Sequence, residues 1–398
     1  MTYARRVRDV GDSATLAMSA RAKALRQQGV DVVNLTAGEP DFPTPPHVVA
    51  AAAEFIAGGQ VKYTATAGMP ELRVAVAEHC GTAYGVPVDP AQTLVTCGGK
   101  HALYLALQAL VDADDEVVFA SPAWVSYPEM IRLAGGRPVP VPVCVEDGFA
   151  LHVDAVRERL TDRTRAIIVN SPSNPTGARL PHACLRDVVA LAVERGLWIL
   201  SDEIYDRLCY SPEPYLSPMM LGPEARARTI VSNSFSKTYA MTGWRIGYSV
   251  GPVDAIRTMG RIQDHETSNA NTVAQVAALA ALTGDQAHIA ERLARFDARR
   301  RLMYAGIQAL SGWVCAEPQG AFYVFPKVEH VFGARTAGGR VIDGSMDLCA
   351  ALLDEVQLAT VPGAAFGDDR HIRLSYATPS AVIADGLRRL TTFVMGLW

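Results

Sequence analysis

Six short apolar runs punctuate the middle of the chain, at Thr93 to Thr96, Glu116 to Phe119, Ala166 to Val169, Leu197 to Ser201, Thr229 to Ser232 and Ile246 to Val250. Each is too short for a helix and apolar enough for a strand buried on both faces. Segments of helical period separate many of them, as at His101 to Leu110 and Leu185 to Arg195. A sheet whose strands alternate with helices is covered on both sides and runs mostly parallel, so the pattern predicts an α/β domain. In such sheets ligands bind outside the carboxyl ends of the strands. The residues that follow each run are therefore where chemistry is expected.

The flanks read differently. Ser19 to Gln28 is amphipathic, and Leu35-Thr-Ala-Gly-Glu-Pro-Asp-Phe-Pro-Thr-Pro-Pro46 is too rich in proline for a helix or a central strand. That stretch reads as an ordered loop crossing between two bodies. Ala274 to Leu310 is strongly helical, Phe332 to Gly344 is a loop, and Gly320 to Phe325 with Ile372 to Tyr376 suggest a small α+β unit. The 398 residues have room for a large domain over 45–290 and a smaller discontinuous one built from 1–44 and 291–398.

Charge narrows the partners. Lys and Arg number 37 against 41 Asp and Glu, a net charge of −4, which offers no basic field for a nucleic acid. No apolar run approaches the roughly 20 residues of a membrane span, and the N-terminal segment shows charges without an apolar core, so no secretory signal is expected. Seven cysteines without a Cys-x-x-Cys read as reduced thiols rather than a disulfide framework or zinc site. A cytoplasmic location is the expectation.

The most informative stretch is Ser232-Asn-Ser-Phe-Ser-Lys-Thr-Tyr-Ala-Met-Thr-Gly-Trp-Arg-Ile-Gly-Tyr248. It sets Lys237 among Ser234, Ser236 and Thr238, with Arg245 further on. Hydroxyls and a guanidinium suit a phosphate monoester, and a lysine beside them is placed to form a Schiff base with a phosphate-bearing aldehyde. Taken alone, the same composition also fits a solvated lysine in a Ser-rich loop. In Ser201-Asp-Glu-Ile-Tyr-Asp206, Asp202 stands where a buried carboxylate can face a ligand, with Tyr205 after it. A carboxylate opposite a pyridine nitrogen keeps that nitrogen protonated, whereas an N-cap Asp with a half-buried Tyr is the plainer alternative.

Two more strand ends fit one ligand. In Val169-Asn-Ser-Pro-Ser-Asn-Pro-Thr-Gly177, Asn174 precedes proline and is expected to be extended, its amide projecting as a donor. Thr96-Cys-Gly-Gly-Lys100 leads into a helix, so the N–H groups of Gly99 and Lys100 would meet an anion there. It is neither a Walker loop nor Gly-x-Gly-x-x-Gly, which disfavours a nucleotide. Trp124 suits either a flat ring or the core.

In this order, and over nearly the whole chain, the segments resemble the fold type I pyridoxal phosphate enzymes, and among them the class I aminotransferases of the aspartate aminotransferase subgroup Ib. Leu35-Thr-Ala-Gly-Glu-Pro-Asp-Phe42, Lys62-Tyr63, Pro122-Ala-Trp-Val-Ser-Tyr-Pro-Glu-Met130, the Ser-x-Ser-Lys and Met-Thr-Gly-Trp-Arg-Ile-Gly-Tyr of the lysine stretch, and Arg373-Leu-Ser-Tyr-Ala-Thr378 carry the resemblance. It implies a large domain with a mixed, mostly parallel sheet flanked by helices, a smaller α+β domain, and pyridoxal 5'-phosphate as cofactor. It also implies ping-pong transfer of an amino group between an aspartate- or glutamate-like L-amino acid and a 2-oxo acid. Lys237 then resembles the lysine that carries the cofactor and shuttles the substrate proton, and Asp202 the partner of the ring nitrogen. Asn174 and Tyr205 match the groups on the ring hydroxyl. Ser234, Ser236, Arg245, Gly99 and Lys100 look like the phosphate cup, and Trp124 like the stacking side chain. Arg373 resembles the clamp on the substrate α-carboxylate, bordered by Gly38, Asn174 and Trp124. Tyr63 resembles a tyrosine that reaches the phosphate of the neighbouring subunit, which implies a homodimer with shared active sites.

Substrate choice is less sharply drawn. The resemblance assigns Lys100 to an acidic substrate side chain, although a phosphate-loop or surface lysine is the alternative. Relatives that accept prephenate carry a lysine before Pro-Ser-Ala-Thr; in Val10-Gly-Asp-Ser-Ala-Thr15, Gly11 and Asp12 stand there instead, which speaks against prephenate. Gln263-Asp-His-Glu-Thr267 is unexpectedly charged, and His265 and Glu266 either face a substrate or form a solvated helix end, without metal-binding spacing. The competing enzymatic expectation is another carbanion reaction on the same scaffold: an oxidation, a cyclisation or a β-elimination. A pyridoxal-phosphate-binding regulator would need a DNA-binding domain ahead of the first motif, and the segment ending at Asn34 is too short for one.

Overall fold

The computed structural model describes residues 14–398 together with residues 7, 10 and 11. The expectations placed on the N-terminal segment and on Asp12 lie outside the described residues. Six strands fall on the six apolar runs: Thr93–Thr96, Glu116–Ser121, Thr164–Asn170, Trp198–Asp202, Thr229–Ser234 and Gly247–Val250. They share one sheet with Arg137–Pro142, which pairs in parallel with Glu116–Ser121 and lies at the edge. Its sequence, Arg-Pro-Val-Pro-Val-Pro, carries no strand signal because every second residue lacks an N–H, and an edge is where such a strand is tolerated.

Only Gly247–Val250 runs against its neighbours, Thr229–Ser234 on one side and Thr93–Thr96 on the other. All other pairings are parallel, so the sheet is mixed and mostly parallel. The carboxyl ends at Thr96, Ser121, Asn170, Asp202 and Ser234 thus open on one side of the molecule. Helices such as Gly99–Leu110 and His182–Glu194 cover the faces, their apolar sides closing the cores around Leu103, Leu105, Val188 and Leu191. No helix among the described residues is long and apolar enough to cross a membrane.

The stretch expected to be strongly helical from Ala274 to Leu310 forms two helices, Thr272–Thr283 and Ala287–Gln308. Gly284 parts them: a Cβ there would lie 2.6 Å from the His47 ring and 2.7 Å from the Ala280 carbonyl. A further core joins the two ends of the chain, packing Met18, Ala22 and Leu35 with Phe296, Leu352, Ile383 and Phe393. Its small sheets pair Ile372–Ser375 with Tyr323–Val324 and Val361–Pro362, and Val33–Asn34 with Leu358–Ala359. The irregular segment after Asn34 then crosses to the open edge of the large sheet, bringing Gly38 and Glu39 over the strand ends.

Candidate active site

A cavity of about 460 Å³ lies where that crossing segment meets the strand ends. Asp202, the last residue of its strand, is buried there; the Tyr127 hydroxyl donates to its Oδ2 at 2.6 Å and the Ile204 N–H to its Oδ1 at 3.3 Å. Burial outweighs these bonds and the nearby Lys237 ammonium and pushes its carboxyl up to about 6, so a cation in direct contact would stabilise its ionised form. Lys237 follows the next strand, and its Nζ donates to the Gly38 carbonyl at 2.5 Å. Burial, offset in part by Glu39, brings its ammonium down to about 8. A fraction is then neutral near pH 7, and only the neutral amine adds to a carbonyl.

The other end of the cavity is built for an anion. Gly98, at φ +97°, turns the chain into the helix Gly99–Leu110, whose first turn has no side-chain cap. Gly99 and Lys100 line the cavity, so their backbone donors and the positive helix end are available to a ligand. Arg245 lies against this turn: its Nη2 donates to the Cys97 carbonyl at 3.3 Å and its Nη1 to the Thr242 carbonyl at 3.1 Å. A Cβ on Gly98 would come within 2.7 Å of Nη2, so only glycine allows this approach. Ser236 borders the cavity. Ser234 does not border it; its Oγ accepts the Ser236 N–H at 3.2 Å and holds the loop from behind.

On the small-sheet side, Arg373 is buried between the rings of Tyr323 and Phe366, at 4.4 and 4.9 Å. Nη1 donates to Asn174 Oδ1 at 2.9 Å and Nη2 to the Thr36 carbonyl at 3.0 Å, while Nε has no partner among the described residues. No carboxylate neutralises it among the described residues. A buried guanidinium without a counter-ion is costly, and its fork matches a carboxylate. Since arginine only donates, the oxygen end of Asn174 is fixed on it, which leaves the amide N–H2 end for an acceptor. The peptide bond from Asn174 to Pro175 is cis. The Tyr205 hydroxyl bonds that of Tyr323 at 3.1 Å. Lys100 Nζ lies over the Trp124 ring at 5.0 Å, and partial burial with nearby Arg245 lowers its ammonium.

Besides Ser234, three expected residues lie apart from the cavity. Tyr63 is 89% exposed. His265 points to solvent, and Glu266 accepts from His101 at 3.1 Å rather than facing a substrate. Conversely, Tyr127, Glu39, Thr242 and Tyr323 line the cavity without having been singled out. The usable signals were adjacency: Glu39 follows Gly38, and Tyr127 lies one helical turn beyond Trp124.

A lysine of lowered basicity suits an aldehyde, Asp202 suits a pyridinium, and the capless helix start with Arg245 suits a phosphate, all within one cavity. That combination defines a pyridoxal phosphate enzyme of fold type I. The family model for aminotransferase class I and II matches residues 30–390. An aspartate aminotransferase of Geobacillus stearothermophilus is 40% identical over 394 residues, covering 99% of either chain. An aspartate/prephenate aminotransferase of Thermus thermophilus is 44% identical over 388 residues, 97% of either chain. The crystal structure of the aspartate aminotransferase from Rhizobium meliloti superposes with a TM-score of 0.96 at 37% identity over 100% of both chains. The chain belongs to the class I and II aminotransferases and is a pyridoxal-phosphate-dependent transaminase, moving an amino group between an amino acid and a 2-oxo acid.

Proposed function

We propose that the substrates are dicarboxylic, an aspartate- or glutamate-like L-amino acid and its 2-oxo acid partner, and that Lys237, Asp202, Asn174, Tyr205, Trp124, Ser236, Arg245, Gly99 and Lys100 hold the cofactor, with Ser234 supporting them. The observation that carries the substrate class is a pair of cations, Arg373 and Lys100, that line one cavity without a carboxylate partner among the described residues. Arg373 takes the α-carboxylate in its fork, with the Asn174 amide and Gly38 beside it, and Lys100 takes the distal one. When bound, pyridoxal phosphate supplies an electron sink for the charge left on the substrate Cα. Asp202, held by Tyr127, keeps the ring nitrogen protonated, and Lys237 Nζ takes the proton from Cα. Prephenate is not proposed as a substrate, since Gly11 supplies no cation.

Replacing Lys100 by Ala tests the distal assignment. KM for aspartate is expected to rise about 10- to 100-fold, while that for a neutral amino acid changes little. Equal effects on both would remove Lys100 from the substrate.

We further propose a homodimer in which Tyr63 completes the phosphate site of its partner. Exposed Val49, Ile56 and Val61 near Tyr63 in the chain support such a face. Mixing Tyr63→Ala and Lys237→Ala chains, each nearly inactive alone, is expected to restore about a quarter of wild-type activity, because half of the dimers regain one intact site. No recovery after subunit exchange would place Tyr63 and Lys237 in the same site or outside it. Free cysteines at all seven positions support a reducing, cytoplasmic setting. The core that joins the two chain ends supports the division into 45–290 and 1–44 with 291–398.

A further inference from the structure

Glu266 ends the helix Val253–Glu266, yet it is not simply solvated. Its Oε2 lies 3.1 Å from His101 Nε2, and His101 Nδ1 in turn accepts the Cys97 N–H at 3.1 Å. The Cys97 carbonyl accepts from Arg245 Nη2 at 3.3 Å. A chain of contacts thus runs from a carboxylate on one helix, through an imidazole and the two peptide groups that flank the Cys97 Cα, to the guanidinium at the anion end of the cavity. The imidazole must be unprotonated at Nδ1 to accept an N–H, so its proton sits on Nε2, and Glu266 is the acceptor that selects this tautomer. The same helix end is stitched down independently: Gln263 Nε2 donates to the Val95 and Thr66 carbonyls at 2.9 and 2.7 Å, and Asp264 accepts the Thr66 hydroxyl at 2.6 Å.

We infer that Glu266 and His101 are positioning residues for phosphate recognition. Neither lines the cavity; together they fix the backbone on both sides of the Cys97 Cα and, through its carbonyl, the guanidinium of Arg245 against the start of the helix Gly99–Leu110. The inference rests on this end of the cavity taking the cofactor phosphate.

The test compares full-length variants for their hold on pyridoxal phosphate and on pyridoxal, which lacks the phosphate, by absorbance titration of the apoprotein, with thermal unfolding to confirm folding. Glu266→Ala is expected to weaken pyridoxal phosphate binding about tenfold, within the range of coupling through a shared hydrogen-bond network, while pyridoxal binding stays within about twofold. Glu266→Gln, which still accepts from Nε2, is expected to restore the wild-type value. His101→Asn carries an oxygen that can accept the Cys97 N–H without help from Glu266, so adding Glu266→Ala to it should change nothing further. Equal weakening of both ligands by Glu266→Ala, no weakening of either, or a full tenfold loss in the His101→Asn background would overturn the inference. A wild type that holds pyridoxal as firmly as pyridoxal phosphate would overturn the anion-end assignment itself, and this inference with it.

Discussion

Arg373→Met is expected to lower kcat/KM for aspartate by about 10³-fold, within the 2–5 kcal/mol that follows from losing one partner of a buried charge pair, while the melting temperature of the apoprotein holds or rises. The two halves of this result have one cause. Arg373 is 4% exposed, lies between two aromatic rings, and has no carboxylate within reach among the described residues. Removing a buried, uncompensated charge relieves the folded state, and methionine fills much of the same volume. The groups left behind, the Asn174 amide and the Thr36 carbonyl, border the cavity and can be satisfied by water. Steady-state kinetics and a thermal melt on the same preparation check both halves. A protein that melts many degrees lower yet loses only a few-fold in kcat/KM would mean that Arg373 is a structural residue.

Lys237→Ala has the largest expected effect, a fall in kcat of about 10⁴- to 10⁶-fold, the scale of removing a nucleophile that also serves as acid and base. The physical basis is the half-lowered basicity of Nζ and its position between Asp202 and the crossing segment. The contacts at the phosphate end do not pass through Lys237, so the variant is expected to retain the cofactor without the covalent link, releasing it on unfolding, and to lack the violet-edge absorbance of the lysine-bound form. Absorbance spectra before and after treatment with denaturant read this out. Activity within tenfold of the wild type would end the assignment of Lys237.

The legible parts of the fold were those in which burial alone dictates residue type. Thr93–Thr96 and Trp198–Asp202 are buried on both faces, so their apolar runs mark them almost to the residue. Arg137–Pro142 escaped because an edge strand does not need the N–H groups that proline lacks. The His47 ring that leaves no room for a side chain at Gly284, the break between the two helices, is 237 positions away in the chain. The site followed the same division. Lys237, Asp202 and Arg245 sit in local strings whose chemistry is visible without the fold. Tyr127, by contrast, matters only because the sheet places its hydroxyl on Asp202, and Ser234 ends its strand short of the cavity lining, where its hydroxyl accepts the Ser236 N–H instead. Glu266 reads as a solvated charge until the fold brings His101 beside it.

The most direct measurement is a half-reaction. Wild-type holoenzyme is mixed with aspartate alone, with no 2-oxo acid, and oxaloacetate is quantified against active sites. One equivalent should form and the reaction should stop, resuming only when 2-oxoglutarate is added. Continuous product formation without an acceptor, or a protein inert to both aspartate and glutamate while another amino acid reacts, would contradict a dicarboxylate transaminase.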